Sequence, residues 1–283
     1  MSATPDWLQE RIRTYYNETT EKNYLPHWCG PSLALHLGLH AEGATTLEQY
    51  LVNTNAELAE RAGIGADTEV LDAGCGVGGT SLWLAQERGA RVLGITLEPR
   101  QCELARGFAV ERGLAERARF EVRDFAESGL PPASFDVIVH VESLSHAHDL
   151  AAYFAHAATL LRPGGRFACF DYFLGDGGDE AAARAMCEGW VLPDLKSLDE
   201  AAATLAAAGF VDVKAVDRTA SALIPATALE RVGMMGLMML DRQKAAGEEE
   251  APVRRGNALG AIGAARGLAT GSVRYGWLQG TSP

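Results

Sequence analysis

The chain lacks the marks of several protein classes. Its five cysteines, Cys29, Cys75, Cys102, Cys169 and Cys187, are scattered and form no C-x-x-C pair. Neither a disulfide framework nor a cysteine zinc site is therefore predicted, and a reducing cytoplasm is the expected setting. No apolar stretch follows the start. Met1–Trp7 runs into Glu10, Arg11 and Arg13, which does not read as a secretory signal. Long hydrophobic runs are missing too: Val232–Leu240 is the longest, about half of the ~20 residues a spanning helix needs. Positive charge is in deficit, with 25 basic against 37 acidic residues and a net charge of −12. That balance repels phosphate backbones and anionic bilayers, so neither nucleic acid nor membrane is an expected partner. No repeat of 20–50 residues is visible, which removes solenoids and propellers.

What is present is ordinary globular composition over 283 residues, 47% hydrophobic and 22% charged, enough for one large domain or two small ones. From about Thr68 to Thr219, short apolar runs alternate with amphipathic stretches. The strand candidates are Glu69–Ala73, Arg91–Thr96, Arg119–Val122, Val137–Val141, Arg166–Phe173 and Val211–Val216. Helical patterns cover Ser81–Arg88, Pro99–Arg112, Ala151–Leu161 and Leu198–Ala208, the last opened by a Ser197/Glu200 capping box and closed by Gly209. The alternation predicts an open α/β domain with a mostly parallel sheet, helices on both faces. Residues 1–65 are expected to form a helical arm and 66–283 the α/β domain. A late helical insertion at about 222–268 is broken by Glu248–Glu250, and a last strand begins near Ser272. Arm and insertion are placed as a lid over the strand ends, where open α/β sheets bind ligands.

The strongest local signal is Asp72-Ala-Gly74-Cys-Gly76-Val-Gly78-Gly79 after a strand. It satisfies G-x-G-x-x-G, but a dinucleotide site also needs an acid ending the second strand, and that strand ends in Thr96. A nicotinamide reading is thereby disfavoured.

With Asp72 two residues before Gly74, the run resembles motif I of the class I S-adenosylmethionine-dependent methyltransferases. Further landmarks follow in order: Arg123-Asp124-Phe125, Ser134–Ile138, Leu160–Gly165 and Ala208–Phe210. The resemblance spans roughly residues 66–220. It implies a Rossmann-like sheet of seven strands and S-adenosylmethionine as cofactor. Asp72, Gly74 and Gly76 are expected at its methionine and ribose portions, and Asp124 and Phe125 at its adenine. Gly94-Ile-Thr96-Leu97 with Gln101 is similar to a subgroup that includes tocopherol methyltransferases and cyclopropane synthases, which assigns Thr96, Leu97 and Gln101 to the ribose. The segment Tyr15–Trp28 resembles the same subgroup's arm and nominates Tyr16 as a cofactor contact. Val141 is placed beside it.

After the fourth strand, Glu142-Ser143-Leu144-Ser145-His146 resembles the E-S-x-x-H segment of small-molecule methyltransferases, including rebeccamycin-type sugar O-methyltransferases. His146 is the expected base toward a hydroxyl, and Asp171 is expected to orient it or bind substrate. Glu142 is the candidate for carbon acceptors. In the sugar enzymes two histidines adjoin, whereas Ser145 stands first here. His36 and His40 have i, i+4 spacing, but Gly38 intervenes and no Glu completes a metal motif, so no metal is expected. Trp190, Met234 and Met238 are candidate walls of an apolar substrate cavity, and no basic cluster for a phosphorylated acceptor is visible beside them. The reading is a monomeric or dimeric methyltransferase of a small apolar natural product, most readily at oxygen. C-methylation of an isoprenoid or polyene is the alternative, as is a cyclase or isomerase that keeps the cofactor as a structural element.

Overall fold

A computed structural model describes residues 4–283. Helix α1 (Asp6–Thr19) runs through a π-helical turn, Thr20–Tyr24, into the short α2 (Leu25–His27), and α3 (Leu47–Ala62) follows. The alternating part holds β1 (Glu69–Ala73), α4 (Gly79–Arg88), β2 (Arg91–Thr96), α5 (Pro99–Glu111), β3 (Ala118–Val122), β4 (Phe135–Val141), α6 (Leu150–Leu160) and β5 (Leu161–Leu174). Then come α7 (Glu180–Trp190), α8 (Leu198–Ala207), β6 (Val211–Asp217), α9 (Thr219–Ala245), α10 (Pro252–Thr270) and β7 (Val273–Thr281). The seven strands form one sheet in the order β3-β2-β1-β4-β5-β7-β6. Strands β1 to β5 pair in parallel, and β7 runs antiparallel between β5 and β6.

Period-2 alternation divides the core. On β5, Ala168, Phe170 and Tyr172 join Leu58 of α3, Met186 of α7 and Ala264 of α10. Phe167, Cys169 and Phe173 turn to the other face, against Phe154 of α6 and Leu205 of α8. Both faces are covered, which is why the strands read as near-continuous apolar runs. The expected β1 and β2 appear with the bounds read from sequence. Strand β5 begins earlier, because Leu161 pairs with Phe135 across an irregularity before Arg166 pairs with Val137. Helix α6 accordingly stops at Leu160.

Helix α9 also begins earlier than its apolar run suggests. Pro225 lies inside it and has no N–H for the Ser221 carbonyl one turn back. The N–H of His40 donates to that carbonyl instead, at 2.8 Å, so the helix passes through the proline and is tied to the N-terminal arm. Among the described residues α9 is the one helix long and apolar enough to cross a bilayer by length and composition. The shorter run seen in sequence had excluded this. Here α9 packs on α10, where a Cβ on Gly233 would lie 2.8 Å from the Ala258 carbonyl.

The capping box of α8 forms as expected. Ser197 Oγ accepts from the Glu200 amide at 3.2 Å, and the Ser197 amide donates to Glu200 Oε2 at 2.9 Å. Ser197→Ala is expected to cost about 1 kcal/mol, measured as a lower urea midpoint at unchanged slope.

Candidate active site

In the sheet order, β1 and β4 are neighbours whose following connections leave toward opposite sides. The crevice at their carboxyl ends is where open α/β sheets take ligands. A cleft enclosing about 120 Å³ lies there, bounded by the glycine loop, the ends of β2 and β4, α1 and Trp190. Tyr16, Asp72, Gly74, Gly76, Thr96, Leu97, Gln101, Phe125, Val141, Glu142, His146 and Trp190 all line it.

The loop after β1 has three glycines at positive φ, Gly74 (88°), Gly76 (55°) and Gly78 (87°), a backbone that side chains rarely adopt. Gly74 also faces Ser143: a Cβ there would stand 2.4 Å from Ser143 Cβ. Ser143 is fixed in turn. Its Oγ donates to the Ala73 carbonyl at 2.6 Å and accepts from His140 Nδ1 at 2.7 Å. Since that hydroxyl's one proton goes to Ala73, His140 carries its proton on Nδ1 and its Nε2 accepts from Tyr153 Oη. Complete burial pushes the His140 pKa down to about 3, which keeps the ring neutral. Neither Ser143 nor His140 was read as a site residue. Ser143 belongs to the E-S-x-x-H run, but only the fold puts it and the strand-borne His140 under Gly74.

Asp72 is buried and accepts from Ser81 Oγ at 2.6 Å. Burial raises its pKa to about 6, against that hydrogen bond, which lowers it. At the end of β2, Gln101 Oε1 accepts from Thr96 Oγ1 at 2.9 Å while its Nε2 donates to Thr20 Oγ1 at 3.1 Å, joining α5 to the arm. Arg13 of α1 donates to the Leu97 carbonyl at 3.2 Å. Asp124 does not itself line the cleft. Its carboxylate accepts from the Thr4 amide and hydroxyl, both at 3.1 Å, and from the Ala126 amide at 2.9 Å. Thr4, not Asp124, lines the cleft there, because Asp124 caps the short helix that follows β3.

At the end of β4, Glu142 adopts φ of 57°, an uncommon left-handed conformation for a residue with a side chain. Its Oε1 accepts from the Leu37 amide at 2.6 Å and from Tyr275 Oη at 2.9 Å. Burial, reinforced by the Asp171 charge, raises its pKa to about 8 despite the Leu37 hydrogen bond. These partners come from the arm loop and the antiparallel strand. Leu37 contributes only its backbone, so sequence gave no signal for it; Tyr275 needed the strand order. His146 is buried, with Nε2 3.1 Å from Tyr16 Oη and Nδ1 without a hydrogen-bond partner. Burial lowers its pKa to about 4.

Asp171 makes no hydrogen bond to the His146 ring. Its Oδ2 accepts from the Ser145 amide at 3.1 Å and its Oδ1 from the Tyr172 amide at 2.7 Å, so it holds the turn that carries His146. Ser145, at the place of the sugar enzymes' first histidine, supplies that amide. His36 and His40 lie on irregular chain, not on a helix, which removes the i, i+4 argument. The His36 ring nitrogen Nδ1 is 2.9 Å from the Leu37 carbonyl.

A second chamber of about 410 Å³ lies between the arm, α9 and α10, and shares Tyr24, Trp28, Trp190 and Leu229 with the cleft. Met238 lines it, as do Met235 and Met239. Met234 does not, and is 49% exposed. The close approach of Gly233 to α10 fixes the helix phase, and residue 234 falls on the far side.

A methyltransferase-domain family profile matches residues 71–169. Over 186 residues the chain is 36% identical to the 27-O-demethylrifamycin SV methyltransferase of Amycolatopsis mediterranei (strain S699), covering 65% of this chain and 68% of that enzyme. The chain belongs to the class I S-adenosylmethionine-dependent methyltransferases. Across further curated relatives, sterol 24-C-methyltransferases among them, the matched stretch is 27–65% of the relative's length. The crystal structure of the [4+2]-cyclase SpnF superimposes with a TM-score of 0.81 at 21% identity, covering 100% of this chain and 98% of that one. Geranyl diphosphate methyltransferase in complex with GPP and sinefungin gives 0.77 at 20% identity, with 98% and 100% covered. Those two likenesses establish the fold.

The cofactor of this methyltransferase is S-adenosylmethionine, and the cleft suits it. A Cβ built on Gly76 would meet only the Leu35 side chain, at 3.5 Å. Two carboxyl groups, the buried Asp72 and the half-buried Glu142, stand on its wall, matching a ligand that carries an ammonium and a sulfonium.

Proposed function

We propose that this methyltransferase methylates a hydroxyl on a bulky, largely apolar natural product, with His146 as proton acceptor. The observation that carries the reading is a buried, neutral imidazole on the cleft wall whose Nε2 is held by Tyr16 Oη at 3.1 Å. Bound S-adenosylmethionine supplies an electrophilic methyl for in-line displacement. The chain's own residues do the rest. Gly74, Gly76, Thr96, Leu97, Gln101, Phe125 and Val141 shape the cofactor's seat, and Asp72 and Glu142 face its positive end. Asp124 with Thr4 closes the adenine end. Tyr16 and His146 take the hydroxyl proton as the oxygen attacks, and Asp171 fixes the His146 turn through the Ser145 amide. Trp190, with Met238, borders the acceptor.

The assignment of Glu142 has a direct test. With a pKa near 8, its carboxyl is mostly protonated at pH 7, and a cation placed against it lowers that pKa. Binding of S-adenosylmethionine at pH 7 is therefore expected to release a proton, read by calorimetry in buffers of different ionisation heat. Affinity should rise with pH until about 8. Glu142→Gln should abolish the release, and a wild-type protein that releases none would remove Glu142 from the cofactor's positive end.

A second reading rests on the same carboxyl: at a carbon acceptor, Glu142 would stabilise a cation and remove its proton. Incubation with S-adenosylmethionine and a panel of hydroxylated polyketides, sterols and polyenes distinguishes the two. An O-methyl product supports the first, and a C-methyl product supports the second. Tight cofactor binding with no S-adenosylhomocysteine formed from any acceptor would favour a cyclase-type reaction.

A further inference from the structure

The larger chamber is not uniformly apolar. Leu229, Val232, Met235 and Met239 line it together with His27, Arg242 and Arg254. The last three come from α2, α9 and α10, which is why the linear sequence showed no basic cluster beside the methionines. Arg254 is partly buried and held in place. Its Nε donates to Asn23 Oδ1 at 3.0 Å, and Asn23 Nδ2 donates to Asn257 Oδ1 at 2.8 Å. Asn257 Nδ2 in turn donates to Tyr15 Oη and Tyr24 Oη, at 2.7 and 3.0 Å. Nearby arginines are neutralised, Arg255 by Asp241 at 2.7 Å and Arg266 by Glu230 at 2.9 Å. Among the described residues, Arg242 and Arg254 have no carboxylate within ion-pair distance, in a chain with 37 acidic residues against 25 basic.

We infer that the chamber takes an acceptor with an apolar body and one anionic end, a carboxylate or a phosphate ester. The anion lies against Arg254 and Arg242, and the reacting end passes Trp190 into the cleft. This rests on the acceptor reading above and names its chemical class. The physical grounds are threefold. The volume falls within the range of small-molecule sites, the methionine wall adapts to apolar shapes, and a guanidinium fixed at Nε still offers its terminal N–H groups to an oxyanion. The Asn23–Asn257–Tyr15–Tyr24 network holds that guanidinium ready before any ligand arrives.

The test titrates the full-length protein, saturated with S-adenosylhomocysteine, with sub-micellar decanoate, decyl phosphate and decanol. Trp28 and Trp190, both on the chamber wall, report binding by fluorescence. The anionic probes are expected to bind at least about tenfold more tightly than decanol, with the gap shrinking in high salt. The stronger of the two assigns the headgroup. Arg254→Gln should reduce the gap to under about threefold. Arg242→Gln, at an exposed side chain without hydrogen-bond partners in the fold, guards against misfolding: it should weaken the anions severalfold and leave decanol unchanged. Equal binding of decanol and decanoate, or an anion preference that survives both substitutions, overturns the inference. Methyl transfer to neutral acceptors without anion preference removes the subsite alone. Anion-selective binding without methyl transfer keeps the subsite and removes the transfer reading.

Discussion

Replacing His146 with alanine is expected to slow methyl transfer to a hydroxyl by about 10²–10⁴-fold, the usual worth of a positioned proton acceptor. Affinity for S-adenosylhomocysteine should change little. The pH profile carries independent information. Burial lowers the His146 pKa to about 4, and a base works only when unprotonated. The limb due to this residue should therefore be flat from pH 7 down to about 5, and fall as the pH drops through about 4. A solvated histidine would inflect near ~6.5. Tyr16→Phe removes the hydroxyl held at 3.1 Å from Nε2, and should lower turnover more than cofactor affinity. Full activity of the His146→Ala enzyme would remove this base and leave Glu142 as the group on which carbon chemistry turns.

Gly74→Ala should be the most damaging single substitution at the proposed cofactor seat. It places a side chain at φ of 88° and a Cβ 2.4 Å from that of Ser143. The strain of the backbone and the overpacking together are worth about 2–4 kcal/mol. Ser143 cannot withdraw cheaply, because its hydroxyl bonds both the Ala73 carbonyl and His140. Denaturant unfolding and calorimetric titration with S-adenosylhomocysteine should show lower stability and at least about tenfold weaker binding. The cause is separable from a general defect of the loop. Removing the opposing Cβ in Gly74→Ala/Ser143→Gly should recover more stability than the two single changes predict by addition, since contacting residues couple. Strict additivity would mean that the backbone alone carries the penalty.

Much of the scaffold is legible in the sequence because its signals are local. Glu69–Ala73 and Arg91–Thr96 are apolar runs closed by turn residues, and the Ser197/Glu200 box marks a helix start by side-chain chemistry alone. Helix α7 escaped because Asp179, its cap, resembles any loop aspartate until its bond to the Ala182 amide is seen, at 3.1 Å. The glycine loop and the Glu142–His146 run were legible for the same reason as the strands: each is contiguous. What sequence missed is made by contacts across the chain. Leu37 holds Glu142 through a backbone amide, Thr4 covers Asp124, and Asp171 grips the Ser145 amide instead of His146. Met234 was misplaced because the phase of α9 is set by the approach of Gly233 to α10.

The Pro225 joint divides α9 into halves with different freedom to vary. Upstream, the Ser221 carbonyl is bound by the His40 amide at 2.8 Å, and Arg218 pairs with Glu57 of α3 at 2.8 Å. Changes there reach the arm loop that supplies Leu37 to Glu142. Downstream, Met235 and Met238 are 68% and 57% exposed and border the chamber without touching the glycine loop. A library at positions 235, 238 and 239 would reshape the proposed acceptor chamber while leaving Gly233 and the glycine loop intact. The same helix thus offers a protein engineer a fixed hinge post and an interchangeable wall.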